Sequence, residues 1–368
     1  MAGAESECRR SRSAATTKRD YTHGSMAMLR RFPVGKLPPK ILERLLARCP
    51  IPKNSSVVIG PRFGEDAAVI DLGPKSLVAK TDPITFTADR IGWYAVNINA
   101  NDIATLGARP RWFLATLLLP EGRTTSALAG SIFRDTLRAC RALGVTLCGG
   151  HTEITSGLDR PIVVGQMLGE VEKSKLVRKE NQRPGDLVLL TKGIALEGTA
   201  ILAREKANWL ENKLGGPLVR RAQRLLFRPG ISVVREALIA VKHGEIHAMH
   251  DPTEGGLLSG LYELARAGNV GLRIWKDKVP VLPETQALAR LLRFDPFALI
   301  ASGALLVVAR ARTADSVLRA FGHHKISAAV IGEVCSEREG IRLIGESGEA
   351  RPLRVPARDE IARLLEDA

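Results

Sequence analysis

The stretch IGWYAVNINANDIATLGARPRWFLATLLLP, residues 91–120, decides the fold class that the sequence predicts. Residues 91–106 indicate a helix, which Gly107 closes at its C-terminal cap with Pro110 just beyond. Residues 111–120 form an apolar run of strand length. A helix followed directly by a buried strand is the repeating unit of layered α/β and α+β folds.

The same alternation continues on both sides of this stretch. Strands are predicted at 76–82, 145–148, 161–172, 186–193, 302–310 and 325–334, with helical patterns between them. A charged segment, KSKLVRKENQRPGD (173–186), is interpreted as a linker. We therefore expect two domains, 31–172 and 173–368, preceded by a disordered basic extension over 1–30.

The composition excludes several classes of protein. The chain has 368 residues, a formal charge of +15, only 4% aromatic residues and five unevenly spaced cysteines. Scattered basic charge with few aromatic residues favours an anionic small ligand such as a nucleotide over nucleic acid. The cysteines form neither a disulfide framework nor a zinc ribbon, and no long apolar run suggests a membrane span. The sequence predicts a cytoplasmic protein.

Carboxylates and glycines gather at the ends of the predicted elements. The segments are FGEDAAVI with Glu65 and Asp66, KTDPIT with Asp82, NINAND with Asn97, Asn101 and Asp102, GGHTE at 149–153, and HDPTEGG with Asp251, Thr253 and Glu254. Magnesium prefers carboxylate oxygens together with nucleotide phosphates, and paired glycines let backbone N–H groups approach phosphate. Acidic segments beside glycine-rich segments therefore suggest phosphate bridged by a metal ion.

Each segment also has a purely structural interpretation. Asp251 could cap the following helix, and Asp66 could cap a turn. Asn97 and Asn101 are four residues apart on one helical face and could form a satisfied polar seam. The sequence alone leaves these alternatives open for each segment taken singly.

Cys148 and His151 raise a further alternative, since a thiolate–imidazole pair is a potent nucleophile. Cys148 ends the predicted buried strand VTLC (145–148), however, and a free cysteine there is more simply a small core residue. A zinc site is disfavoured because no second pair of Cys or His residues has ligand spacing. We expect the GGHTE segment to be a loop that binds nucleotide.

Taken in order, these segments together with RPGDLVLLTKG, SGALLVV and IGEV resemble the aminoimidazole-ribonucleotide-synthase-like superfamily. That superfamily includes the synthase (PurM), selenophosphate synthetase, thiamine-monophosphate kinase and the hydrogenase maturation protein HypE. The similarity spans about residues 35–345 and is greatest to HypE-like proteins.

The resemblance implies an N-terminal α/β domain that pairs in a homodimer and a C-terminal α+β domain. It also implies an enzyme that uses ATP and Mg²⁺ to activate an oxygen atom by phosphorylation. Carried over to this sequence, the metal-linked acids are Asp66, Asp82 and Asp102, the nucleotide contacts are Asn101, Gly149, Gly150, His151 and Thr152, and the catalytic residues are Asp251 and Glu254.

The resemblance also sets expectations about substrate and partners. HypE proper ends in a cysteine that accepts a carbamoyl group, whereas the last cysteine here is Cys335. We therefore expect a small-molecule or carbamoyl-type substrate, a maturation partner protein, and no acceptor cysteine at the C-terminus. The alternatives are a phosphotransferase similar to thiamine-monophosphate kinase, or a non-catalytic nucleotide-binding assembly factor.

Overall fold

Two β-sheets organise the described part of the chain, which comprises Phe32 and residues 34–366 of a computed structural model. The extension predicted over residues 1–30 lies outside this part. Residues 34–366 belong to one compact unit, so the two sheets and their helices can be described together.

The first sheet has six strands. Its region contains, in chain order, α1 (Pro39–Leu46), β1 (Val57–Ile59), β2 (Ala68–Asp71), β3 (Lys75–Ile84), α2 (Ile91–Thr105), β4 (Arg109–Pro120), α3 (Ser126–Leu143), β5 (Thr146–Thr155) and β6 (Ile162–Glu172). The strand order is β1-β2-β3-β6-β4-β5, with every neighbouring pair antiparallel except β4 and β5. β5 is therefore an edge strand.

The second sheet has seven strands. Its region contains β7 (Leu187–Thr191), α4 (Leu196–Glu205), α5 (Ala207–Leu214), α6 (Gly216–Arg224), α7 (Val234–His243), β8 (Ile246–His250), α8 (Gly256–Gly268), β9 (Gly271–Trp275), α9 (Pro283–Leu292), β10 (Leu306–Ala309), α10 (Ala311–His323), β11 (Ala328–Cys335), β12 (Ile341–Ile344), β13 (Ala350–Pro352) and α11 (Glu360–Glu366). The order is β13-β12-β9-β11-β7-β10-β8, and only β9 and β12 are parallel.

Local sequence explains why the helices begin and end where they do. Pro39 occupies the first turn of α1, where a missing N–H costs nothing. The hydroxyl of Thr125 caps α3 by accepting a hydrogen bond from the Leu128 N–H at 3.1 Å. Gly144 ends α3 in the left-handed conformation, with φ +65°. Local sequence therefore accounts for these three helix ends.

Helix α2 lies between the two sheets. It packs on β3, β4 and β6 of the first sheet, on α3, and on α7 and β8 from the second half. Fourteen of its fifteen residues are buried, which explains why its sequence is apolar on every side instead of along one stripe. Any polar side chain on α2 is therefore held in the interior.

One sequence expectation about local structure was wrong. The strand VTLC was expected to stop at Cys148, but β5 continues to Thr155, so GGHTE is part of a strand and not a loop. The segment 173–186, expected to be a linker, connects β6 of the first sheet to β7 of the second, and it is packed: Lys179, Gln182 and Asp186 are buried, at 1%, 5% and 3% exposure. Among the described helices, none combines the length and apolar character that crossing a bilayer requires.

Candidate active site

Three buried carboxylates converge from distant parts of the chain. Asp66 lies between β1 and β2, Asp102 lies in the last turn of α2, and Asp251 follows β8 directly. Their exposed fractions are 7%, 4% and 1%. Ligand atoms of Asp66, Asp251 and the neighbouring His250 lie within 4.8 Å of one another. We call Asp66, Asp102 and Asp251 the acid cluster.

Two lysines supply the positive charge nearest to the acid cluster. Lys179, from the segment expected to be a linker, places its Nζ 2.8 Å from Asp66 Oδ1. Lys80, on β3, places its Nζ 3.2 Å from Asp102 Oδ2 and 3.6 Å from Asp82 Oδ2. Each buried ammonium group therefore offsets the charge of a particular carboxylate.

This arrangement affects the three carboxylates differently. Burial favours the neutral form of Asp66, but the charges of His250 and Lys179 outweigh burial and lower its pKa. Burial raises the pKa of Asp102 to about 7, because Lys80 only partly opposes it and Asp82 and Asp66 add repulsion. Burial and the neighbouring acids raise the pKa of Asp251 well above its usual range. The cluster thus concentrates negative charge that its two lysines do not fully neutralise.

Several oxygens of the acid cluster have no hydrogen-bond partner among the described residues. They are Asp66 Oδ2 and both carboxylate oxygens of Asp251, whereas Asp102 Oδ2 has its ion pair with Lys80. Unpaired buried carboxylate oxygens are costly unless a ligand satisfies them. Their hard oxygen character and their convergence fit a Mg²⁺ ion, which takes a few carboxylate ligands and completes its shell with water and phosphate.

A hydrogen-bonded chain of side chains extends from the acid cluster toward the surface. His250 Nδ1 lies 2.8 Å from Asp66 Oδ1, and its Nε2 lies 3.0 Å from Glu263 Oε2. Glu263 Oε1 lies 3.2 Å from the Nζ of Lys36. Burial disfavours the charge of Glu263, but Lys36 and His250 outweigh it and lower the pKa to about 2. Glu263 is therefore ionised and fixes the imidazole in place.

The structure brings Glu254 close to the same region. Lys36 also donates to Thr253 Oγ1 at 3.1 Å, so residues 34–36 pass over the segment that carries Glu254. Burial raises the pKa of Glu254, and Lys36 opposes the shift only partly. Glu254 therefore holds its proton to a higher pH than an exposed glutamate does.

Asn101 occupies a different kind of environment. Its amide nitrogen donates to the Ile231 carbonyl at 2.9 Å, and its Oδ1 accepts from the Val233 N–H at 2.8 Å. Both amide atoms therefore hold α2 against the segment before α7. Asn97 likewise donates to the Trp93 carbonyl, at 2.8 Å. These bonds support the polar-seam alternative, and the assignment of Asn101 to nucleotide stays a prediction.

The residues at 149–152 lie apart from the acid cluster within the chain. Asp82 on β3 aligns with Gly165 on β6, Gly165 with Ala115 on β4, and Ala115 with Gly150 on β5. Three strand spacings put Gly150 about 14 Å from Asp82. Residues 148–154 are exposed, and His151 Nε2 lies 3.2 Å from Glu153 Oε2. Cys148 was expected to be buried and is exposed, so that expectation was wrong.

Sequence reasoning missed Lys80, Lys179, His250 and Glu263 as members of the site. Lys80 and His250 each stand next to a residue of an assigned motif, KTDPIT and HDPTEGG, so adjacency was a usable signal. The sequence around Lys179 and Glu263 contained no such signal. Lys179 lies in a highly charged segment, and Glu263 lies seven residues into α8.

Two family profiles match this chain, one over each half. The profile of the family described as "AIR synthase related protein, N-terminal domain" matches residues 64–171, and that of its C-terminal domain matches residues 183–344. The carbamoyl dehydratase HypE of Azotobacter vinelandii is 31% identical over 281 residues, covering 74% of this chain and 79% of the relative. HypE of Escherichia coli is 28% identical over 317 residues, covering 82% and 89%.

Solved structures show the same fold. HypE in a complex with HypF superimposes with a TM-score of 0.69 at 24% identity, over 86% of this chain and 99% of that chain. HypE in complex with ATP superimposes with a TM-score of 0.62 at 25% identity, over 81% and 90%. The predicted two-part α/β and α+β architecture and the expectation of an enzyme are thereby confirmed, and the chain belongs to the AIR synthase related protein family, with HypE proteins among its relatives.

Proposed function

We propose that this protein is an ATP- and Mg²⁺-dependent enzyme that phosphorylates an oxygen atom of a carbamoyl-type substrate at the acid cluster. The observation that carries the proposal is the set of buried carboxylate oxygens without hydrogen-bond partners on Asp66 and Asp251, beside the buried carboxylate of Asp102. The ATP complex of a HypE at 25% identity supports nucleotide binding, and the relatives named carbamoyl dehydratases support the substrate class.

Bound Mg²⁺ would bridge phosphate oxygens and withdraw charge from the phosphoryl group during transfer. The unpaired oxygens of the acid cluster would hold it. Lys80 and Lys179 limit the negative charge that an incoming phosphate meets, because each sits within 3.2 Å of a cluster carboxylate. As the carbamoyl oxygen attacks the γ-phosphate and ADP leaves, the carboxylate of Glu254 can take up the proton that the carbamoyl nitrogen loses.

We propose that a second copy of the chain covers the outer face of the first sheet. The face of β4 and β6 that points away from α2 carries half-buried apolar side chains, among them Leu114, Leu118, Val164 and Leu168, with polar residues such as Thr116 and Gln166 between them. Edge strand β5 is exposed along most of its length. Such a surface is typical of an interface between subunits. Light scattering at micromolar concentration should give twice the mass of the chain, and the mass of a monomer would contradict this.

A homodimer would also give residues 149–152 a role that they lack within one chain. Those residues lie on the exposed β5, so in the dimer they face the partner and could reach a nucleotide there. The proposal thus keeps Gly149, Gly150, His151 and Thr152 as nucleotide contacts across the interface. Support comes from their exposure together with the open space at Gly149, where a Cβ would meet nothing within 4 Å.

Two further parts of the proposal concern partners and compartment. A maturation protein would deliver the carbamoyl group, as the solved complex of a HypE with HypF suggests by analogy. Cys335 is buried in β11 and so is badly placed to accept that group. The cysteines among the described residues, Cys49, Cys140, Cys148 and Cys335, are all free, which suits the reducing cytoplasm.

The experiment is calorimetric titration of Mg-ATP into wild type, Asp82→Asn and Asp71→Asn. Asp82 lies 3.6 Å from Lys80, whereas Asp71 lies at the end of β2 and contacts Lys173. We expect a loss of affinity on the order of 10-fold for Asp82→Asn and no change for the Asp71 control. Equal affinities in all three proteins would refute the site. Turnover with carbamoyl, thiamine phosphate and aminoimidazole substrates would then identify the acceptor.

A further inference from the structure

The ammonium group of Lys179 is enclosed by protein atoms on all sides. Its side chain is 1% exposed. The Nζ lies 2.6 Å from the Gly64 carbonyl oxygen, 2.8 Å from Asp66 Oδ1 and 3.0 Å from His250 Nδ1. An ammonium group has three donors, and here three acceptors meet it within hydrogen-bond distance.

His250 ties this ammonium group to the rest of the site. Its Nδ1 lies 3.0 Å from the Lys179 Nζ and 2.8 Å from Asp66 Oδ1, and its Nε2 lies 3.0 Å from Glu263 Oε2. The groups that surround the ammonium come from two separate segments, the turn before β2 and the end of β8, and α8 supports them through Glu263. Lys179 thus occupies a preformed cation site.

That cation site belongs to the acid cluster. Asp66 gives one oxygen to Lys179 and leaves Oδ2 without a partner, beside the two unpaired oxygens of Asp251. A divalent ion bound to both oxygens of Asp66 would have to share the space that Nζ occupies. Lys179 is covalently attached and cannot diffuse away, so it competes with a metal ion at every concentration.

We propose that the Lys179 ammonium is a permanent internal cation that takes one cation position of the acid cluster, so that divalent metal binds only through the carboxylate oxygens that Lys179 leaves free. The proposal deepens the metal part of the proposed function and rests on it. Four carboxylates, those of Asp66, Asp82, Asp102 and Asp251, face two ammonium groups, those of Lys80 and Lys179. Of these four, Asp251 alone has no lysine within ion-pair distance among the described residues.

The test measures metal-dependent stability without nucleotide, so that it does not depend on turnover. Lys179→Met removes the ammonium and leaves Asp66 as a buried, uncompensated carboxylate. We expect its melting temperature in chelator to fall on the order of 10 °C below that of wild type. Millimolar Mn²⁺ or Mg²⁺ should restore most of this loss, because the vacated position then accepts a metal ion. Wild type should gain only a small shift.

The chain offers a matched control in Lys192. It is also buried, and its Nζ lies 3.0 Å from Glu236 Oε1, 3.0 Å from the Gly230 carbonyl and 2.6 Å from the Ser232 carbonyl. Lys192→Met should lose comparable stability and regain none of it with metal, since among the described residues Glu236 belongs to no group of three possible metal ligands. If metal restores Lys179→Met no better than Lys192→Met, the proposal is overturned.

A double variant keeps the test decisive if Lys179→Met alone does not fold. Asp66→Asn with Lys179→Met removes both charges of the pair, so it should fold in chelator and respond to metal less than Lys179→Met does. Lys179→Met that accumulates only with Mn²⁺ in the medium also supports the proposal. Failure of both variants regardless of metal overturns it.

The same samples separate this proposal from the proposed function. If wild type fails to bind Mg-ATP but metal restores the stability of Lys179→Met, the proposed function is rejected and the internal cation is kept. If wild type binds Mg-ATP normally and metal does not restore the stability of Lys179→Met, the internal cation is rejected and the proposed function is kept. A Lys179→Met protein with unchanged stability and weakened ATP binding would make Lys179 a phosphate contact and overturn the proposal.

Discussion

Gly149 and Gly150 are adjacent on β5, yet the structure predicts very different outcomes when each is replaced by alanine. A Cβ at Gly150 would lie 1.9 Å from the carbonyl oxygen of Ala115 on β4, whereas real contacts of this kind essentially never fall below 3.0 Å. A Cβ at Gly149 would meet nothing within 4 Å. Both residues have positive φ, so the backbone strain is similar and the clash is what differs.

The expected magnitudes follow from this comparison. Gly149→Ala carries only backbone strain, which costs about 1–2 kcal/mol of the free energy of unfolding. Gly150→Ala adds a displacement of β5 from β4, and overpacking of this kind costs a further 1–3 kcal/mol or so. We therefore expect Gly150→Ala to be less stable than Gly149→Ala by about 2 kcal/mol. The need for glycine at 150 thus arises from strand packing, with or without phosphate.

The assay is denaturant unfolding followed by circular dichroism, with hydrogen exchange of residues 146–155 as a local readout. Gly150→Ala should lose amide protection along β5, and Gly149→Ala should keep it. ATP titration of the same proteins adds the functional comparison, since Gly149→Ala tests nucleotide contact without disturbing the sheet. Equal stability and equal protection in the two variants would refute the steric argument.

Three other predictions concern single side chains. Burial, with the charge of Asp359 nearby, raises the pKa of Glu197 to about 7, so the folded chain keeps a proton that the unfolded chain loses. The free energy of unfolding should fall by up to about 3 kcal/mol as pH rises from about 4.5 through 7. Glu197→Gln should match wild type at pH 5 and exceed it at pH 8.5, whereas parallel curves would contradict this. Asp251→Asn should stabilise the metal-free protein at pH 8, since it removes a buried charge, and weaken Mg²⁺ binding on the order of 10–100-fold by calorimetry; unchanged binding would remove Asp251 from the site. Cys148→Ala, at an exposed position, should change stability by less than about 0.5 kcal/mol and preserve turnover, and lost activity would revive the cysteine–histidine alternative.

Elements with strong periodicity or clear caps were predictable from the sequence. α3 lies between the cap at Thr125 and the glycine at 144, and α2 ends just before Gly107, as local rules require. β5 was cut short because two consecutive glycines normally signal a turn. Here they extend a strand, since Gly150 must pass close to the backbone of Ala115. That requirement is tertiary and leaves no pattern in the sequence.

The residues of the candidate site also differ in whether a local sequence pattern predicts them. Asp66, Asp102 and Asp251 could be selected because each carboxylate stands in a motif at the end of an element. Lys179 could not, because a lysine in a run of charged residues is usually solvated. Only the fold shows that this lysine turns inward while its neighbours Arg178 and Glu180 form a surface ion pair. The three acids could therefore be predicted from the sequence, whereas Lys179, which offsets the charge of Asp66, could not.

Helix α2 has a consequence for how the protein can diverge. Asn99 donates to the Asp82 carbonyl at 3.2 Å, Asn101 bonds the segment before α7, and Asp102 faces Lys80. Rotating or shifting α2 to suit a new substrate would disturb a strand, the join between the two halves and the acid cluster together. Substitutions that alter substrate choice should therefore accumulate in segments with a single task, such as residues 34–36 and 252–254, while α2 tolerates almost no change.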